Sequence, residues 1–200
     1  MRCGILGGTF NPIHLGHLII AEEAREQLGL DEVIFVPAAR PWMKEAKELA
    51  SAKDRLAMVR LAIKGNPRFT VSAVDIERPG PSYAVDSTSD IRKARGSSCE
   101  LLFIMGMDSL NDLPKWHNSK QLLSLCRIAA LARPGIPTKR ALARLDRALP
   151  GARRRVDVIE TTNIDISATD IRRRVASGRS IAYRVPGPVS AYIAKHRLYR

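Results

Sequence analysis

The stretch that most constrains this chain is Ile5-Leu6-Gly7-Gly8-Thr9-Phe10-Asn11-Pro12-Ile13-His14-Leu15-Gly16-His17. A short apolar run enters two glycines, and past the proline a helical pattern begins at Leu15, Leu18, Ile19, Ala21, Ala24 and Leu28. This predicts a first strand over residues 1–8, a tight turn, and the N-terminus of a helix. Such a junction suits an anion, because glycines let backbone N–H groups approach a ligand and a helix N-terminus is electropositive. The spacing matches neither GxGxxG nor GxxxxGK[ST], so neither the dinucleotide fingerprint nor the Walker loop is present. His14 and His17 add two side chains that can donate to a phosphate oxygen. The plainer reading, that the pair caps the helix, is the less favoured one, because glycines, a helix start and two donors all serve one anion. As a metal pair it lacks a third ligand at zinc-like spacing, and no metal ligand is assigned.

Beyond this junction the pattern alternates. Short apolar runs at Glu32–Pro37, Phe69–Ala73, Leu101–Met105, Arg127–Leu131 and Val156–Ile159 read as strands. Helical patterns fall between them. Ser51, with Asp54 three residues on, predicts the cap of a helix to about Lys64, with Leu56, Val59 and Ile63 on its buried face. Ser82 reads as the cap of a helix through Ala94. A further helix covers Thr138–Leu149, and short closing helices cover 168–176 and 188–197. Strands alternating with helices imply an α/β fold: a Rossmann-like, doubly wound, mostly parallel sheet with helices on both faces and a small helical C-terminal end. The length suits a single domain over residues 1–200, with 165–200 as its helical C-terminal portion. In such sheets ligands bind beyond the carboxyl ends of the strands. The loops after strands one, two, four and six carry Gly7–His17, Pro37–Lys44, Gly106–Trp116 and Ile166–Arg172.

Charge enters the argument through its distribution. The formal net charge is +13, but residues 1–132 hold 17 lysines and arginines against 15 acids, whereas residues 133–200 hold 16 against 5. Apolar positions at helical spacing interrupt this basic tail, and aromatics for base stacking are sparse, so a solvated surface that attracts small polyanions is favoured over a nucleic-acid surface. Cys3, Cys99 and Cys126 are scattered in apolar stretches, which fits buried thiols in a reducing cytoplasm. No run reaches the length of a membrane span, and no signal peptide is apparent.

Two motifs carry a family resemblance. Gly-Thr-Phe-Asn-Pro-Ile-His-Leu-Gly-His (8–17) resembles the (T/H)xGH signature of the nucleotidyltransferase superfamily, and Ile166-Ser167-Ala168-Thr169-Asp170-Ile171-Arg172 resembles the ISSTxxR motif of its adenylyltransferase branch. Pro81–Asp86, Gly106-Met107-Asp108-Ser109 followed by Trp116, and Pro37-x-x-x-Pro41-x-x-Lys44 are similar to nicotinate-nucleotide adenylyltransferases. The resemblance implies transfer of the adenylyl group of ATP to nicotinate mononucleotide, with Mg2+ accompanying ATP. It assigns catalytic roles to His14, His17 and Arg172. To ATP it assigns Gly7, Gly8, Thr9, Phe10, His14, His17, Gly106, Asp108, Ile166, Ser167, Thr169 and Arg172. To nicotinate mononucleotide it assigns Lys44, Ser82, Tyr83 and Trp116, with Trp116 stacking on the pyridine ring.

Each assignment has a plainer alternative. Phe10 and Trp116 could be core, Asp108 could cap a turn, and Ser167 with Asp170 is sufficient as a capping box. Arg172, Arg173 and Arg174 fan out around a helix, and only Arg172 matches the motif. The chain also departs from the family: Asn11 stands where many relatives carry Asp, and Trp42-Met43-Lys44 where they commonly carry Pro-His-Lys. Competing functions are adenylyl transfer to nicotinamide mononucleotide or phosphopantetheine, cytidylyl transfer, and nucleotide or nucleic-acid binding without turnover. Membrane association is not expected, and a homo-oligomer stays open.

Overall fold

The computed structural model describes residues 1–40, 49–132 and 137–200. Its frame is a six-stranded sheet of β1 (Arg2–Gly8), β2 (Glu32–Pro37), β3 (Phe69–Val71), β4 (Glu100–Gly106), β5 (Arg127–Ala132) and β6 (Val156–Glu160). The strand order is β3-β2-β1-β4-β5-β6, and every pairing is parallel. The "mostly parallel" expectation is thus met in full among the described residues. β3 ends at Val71, two residues earlier than the sequence pattern suggests.

The sheet is buried on both faces, and the side-chain period of two sorts its residues between them. Ile5, Ile34, Val36, Leu101, Phe103, Met105, Ile128 and Ala130 join one core. Their neighbours Leu6, Val33, Phe35, Leu102, Ile104, Ala129 and Leu131 join the other. α4 (Ala84–Arg95), α5 (Met107–Asp112), α6 (Ser119–Leu125) and α7 (Thr138–Ala148) contribute to the first core. α1 (Leu15–Leu28), α2 (Ala52–Ile63), α8 (Ala168–Ala176) and α9 (Gly187–Lys195) contribute to the second.

Local chemistry sets the element ends. α1 stops at Gly29, whose φ of 59° is the left-handed conformation a helix C-cap needs. Ser51 caps α2 as its spacing predicts, accepting from the Asp54 N–H. The buried stripe of α2, however, runs through Arg55, Met58, Val59 and Ile63, while Leu56 is only half-buried. Two expectations are corrected here. Ser82 does not cap α4: the cap position is Tyr83, and the Ser82 hydroxyl accepts from the Ala39 and Arg40 N–H groups across the site. The segment after Gly106 is the helix α5 rather than a turn. A short helix, α3 (Val74–Glu77), also interrupts what reads as loop. Lys139, Arg140, Arg144 and Arg147 of α7 are exposed. No described helix is long and apolar enough to cross a membrane.

Candidate active site

In a parallel sheet all strand C-termini share one edge, and the reversal of strand order between β1 and β4 opens a crevice there. A cavity of about 380 Å3 occupies that position, lined by Leu6, Gly7, Gly8 and Thr9 from the end of β1 and by Ile104, Met105 and Gly106 from the end of β4. His17, Ala38, Asp75, Ser82, Ala84, Ser87, Ser109 and Trp116 complete much of the wall.

The β1–α1 loop is set by close packing. Phe10 holds a φ of 47°, which a non-glycine residue rarely adopts, and its ring is 2% exposed. The ring lies so close over Gly8 that a Cβ there would sit 2.9 Å from its Cζ. Phe10 is therefore core in its side chain, meeting Phe35 and the edge of His17. The His14 N–H donates to His17 Nδ1 at 3.2 Å, so the neutral His17 ring carries its proton on Nε2. The two imidazoles stack at 3.7 Å. His14 is not a wall residue: it is buried, its Nδ1 has no hydrogen-bond partner among the described residues, and burial pushes its pKa down to about 4. It is neutral at pH 7 and backs His17. A Cβ on Gly16 would stand 3.1 Å from His14 Nδ1, so glycine is what lets that ring lie flat on the helix start.

The second motif reaches this loop from the far end of the chain. Ser167 caps α8 by accepting from the Asp170 N–H at 3.1 Å. The reciprocal half of a capping box is replaced, since the Asp170 carboxylate turns to Arg174 and Arg184. Arg172 donates to the Asn11 carbonyl at 3.1 Å and to the Thr169 hydroxyl at 3.4 Å. Arg173 is exposed and Arg174 is paired with Asp170, so among the described residues Arg172 alone of the three is joined to the β1–α1 loop. Thr169 and Arg172 line a second depression with Tyr199. Asn11 joins these parts: its Oδ1 accepts from the Ala50 N–H and the Tyr199 hydroxyl. Burial raises the Tyr199 pKa, so this hydroxyl stays protonated. Ile166 packs against the second core, and Asp108 is exposed on α5; neither lines the main cavity.

At the opposite wall of the cavity, Trp116 meets Phe103 edge-on at 6.0 Å and also faces the cavity, so it is both packed and presented. Tyr83 stacks on His117 at 4.3 Å and is not a wall residue. The N–H groups of Tyr83, Ala84 and Val85 donate to no described group. They leave an electropositive helix start beside the cavity. Lys44 lies outside the described residues. Sequence reasoning missed two residues. Asp75 is a buried wall carboxylate fixed by Arg78 and by the Ser87 hydroxyl, both at 2.6 Å. Arg55 is a buried cation under the loops, for which the only sequence signal is its place on the stripe with Met58 and Val59.

The cytidylyltransferase-like family matches residues 5–174. A protein of Thermomicrobium roseum named "Probable nicotinate-nucleotide adenylyltransferase" is 48% identical over the whole of this chain and 92% of its own length. A protein of Roseiflexus sp. with the same name is 48% identical over 98% of this chain and 97% of its own. The chain belongs to the nicotinate-nucleotide adenylyltransferase family. The family match encloses both end motifs and stops before Tyr192 and Tyr199. The fold agrees as well: the Plasmodium falciparum nicotinic acid mononucleotide adenylyltransferase in complex with NaAD superposes with a TM-score of 0.78 at 17% identity, covering 99% of this chain and 97% of that one. At that identity the likeness speaks for the fold alone.

Proposed function

We propose that this protein transfers the adenylyl group of ATP to nicotinate mononucleotide, giving nicotinate adenine dinucleotide and pyrophosphate, and that it works in the cytoplasm. The observation that carries the reading is the cavity at the β1–β4 crossover, where the glycine loop and His17 meet Trp116 and the open start of α4. Whole-length kinship with proteins of that name supports it.

A phosphate oxygen of the acceptor attacks the α-phosphorus of ATP in line, and the bond to the β-phosphate bridging oxygen breaks. The acceptor phosphate is itself the nucleophile, so the protein's work is alignment and charge neutralisation. Backbone N–H groups of the Gly7–Phe10 loop and the Nε2–H of His17 face the phosphates. Arg172 supplies positive charge from α8, and Thr169 steadies it. Trp116 offers an aromatic face to the pyridine ring, and the N–H groups at Tyr83–Val85 receive its carboxylate. Gly106, which ends β4 on the cavity wall, and Asp108, exposed on the first turn of α5, are given to the nucleoside in this reading. Ser82 sets the floor between the halves through Ala39 and Arg40.

Mg2+ enters as part of the MgATP substrate. Asn11 presents a neutral amide where a carboxylate would carry charge, and its Oδ1 accepts two hydrogen bonds. No group of three His, Cys, Asp or Glu side chains gathers at metal-binding distance among the described residues. Bound with ATP, the ion would add positive charge to that of Arg172 against the leaving pyrophosphate.

The test is pyrophosphate release with MgATP and three acceptors side by side: nicotinate mononucleotide, nicotinamide mononucleotide and phosphopantetheine. Turnover strongest with the first is expected. Preference for either of the others overturns the acceptor assignment, and silence with all three while ATP binds overturns the reaction.

A further inference from the structure

Arg55 is 1% exposed, and among the described residues all of its hydrogen bonds go to main-chain carbonyls. Its Nε donates to the Ala50 carbonyl at 3.0 Å and its Nη2 to the Ala39 carbonyl at 3.0 Å. A single nitrogen, Nη1, donates to both Thr9, at 2.7 Å, and Ala38, at 2.6 Å. Thr9 belongs to the loop after β1, on the ATP side. Ala38 and Ala39 begin the loop after β2, on the acceptor side, and Thr9 and Ala38 both line the cavity. One planar group therefore spans the two loops that would hold the reacting partners.

We infer that Arg55 is a positioning residue that fixes the ATP-side loop against the acceptor-side loop for in-line transfer. The inference rests on the proposed function. Among the described residues the guanidinium meets four main-chain carbonyls and no carboxylate. A buried cation is costly, and burial pulls its pKa down. That charge is useful beneath a loop that meets a polyanion. Its rigid fork is also a geometric device that the flexible ammonium of a lysine cannot reproduce.

The test is Arg55→Lys, which keeps the charge and loses the fork, studied by steady-state kinetics and by separate titrations of ATP and of nicotinate mononucleotide. Circular dichroism checks the fold. Expected is a folded protein whose kcat falls about 10- to 100-fold, the order produced by misplacing reactants by about an ångström. Affinity for each substrate alone should change less than about threefold. A folded variant with kcat within about twofold of the parent overturns the inference, as does a loss confined to the affinity of one substrate. If the lysine variant does not fold, Arg55→Gln is read by the same criteria, and failure of both to fold makes Arg55 a brace of the fold only. The parent's own turnover is measured alongside, so an inactive parent refutes the proposed reaction and not the role of Arg55.

Discussion

Lowering the pH puts the packing of His14 to a direct test. The ring is 8% exposed, stacked on His17 and pressed against Gly16, and burial pushes its pKa down from 6.5 to about 4. In the unfolded chain it takes up its proton as the pH drops through 6.5, whereas in the native protein it resists until about 4. Between those values the unfolded state binds more protons, so stability must fall as the pH falls. The two pKa values together correspond to about 3 kcal/mol once both forms have titrated, and to about 2 kcal/mol by pH 5. Against a total of roughly 5–15 kcal/mol for a domain, that is a large fraction. The assay is urea unfolding of the ligand-free protein and of His14→Gln at pH 7.5, 6 and 5 and fixed ionic strength. All other titrations are common to both proteins, so the parent should lose about 2 kcal/mol more than the variant by pH 5. Parallel pH profiles would refute the claim that His14 is held neutral by burial.

Replacing His17 by Ala removes one preorganised donor and should lower kcat about 100- to 1000-fold while leaving the far-ultraviolet circular dichroism unchanged; unaltered turnover would remove His17 from the chemistry. Trp116→Ala should weaken the acceptor by about 10- to 100-fold through lost stacking, with the KM for ATP unchanged, as initial rates over both substrates will reveal. In Gly16→Ala the new methyl group meets the His14 ring at 3.1–3.2 Å. Overpacking costs about 1–3 kcal/mol and the gain in helix propensity about 1. A modest drop in melting temperature should therefore accompany a roughly tenfold fall in kcat as His14 pushes on His17; full activity would show that the ring has room to move.

The strands were legible because each is a short apolar run with a glycine, proline or helix start behind it. Their parallel pairing followed once the alternation implied crossovers, whereas their order in the sheet was read only from the structure. The glycine loop and the α8 motif were legible because capping and anion binding demand recognisable residues at fixed offsets. What escaped was decided by partners distant in sequence. Ser82 has the makings of a helix cap, but the Ala39 and Arg40 amides take its hydroxyl instead. The segment Met107–Asp112 is too short for periodicity to declare it a helix. Spacing alone put His14 and His17 on one helix turn, yet which ring faces the cavity depends on the room left at Gly16. Arg55 escaped notice because its described partners are main-chain carbonyls, which leave no trace in side-chain identity.

The contact between Asn11 and Tyr199 joins positions 188 apart. A nascent chain can thread its first strand and glycine turn early, yet the last support of that turn arrives only when the far residues emerge from the ribosome. The final shape of that turn is thus set by the docking of Tyr199 on Asn11 and not by its neighbours in sequence.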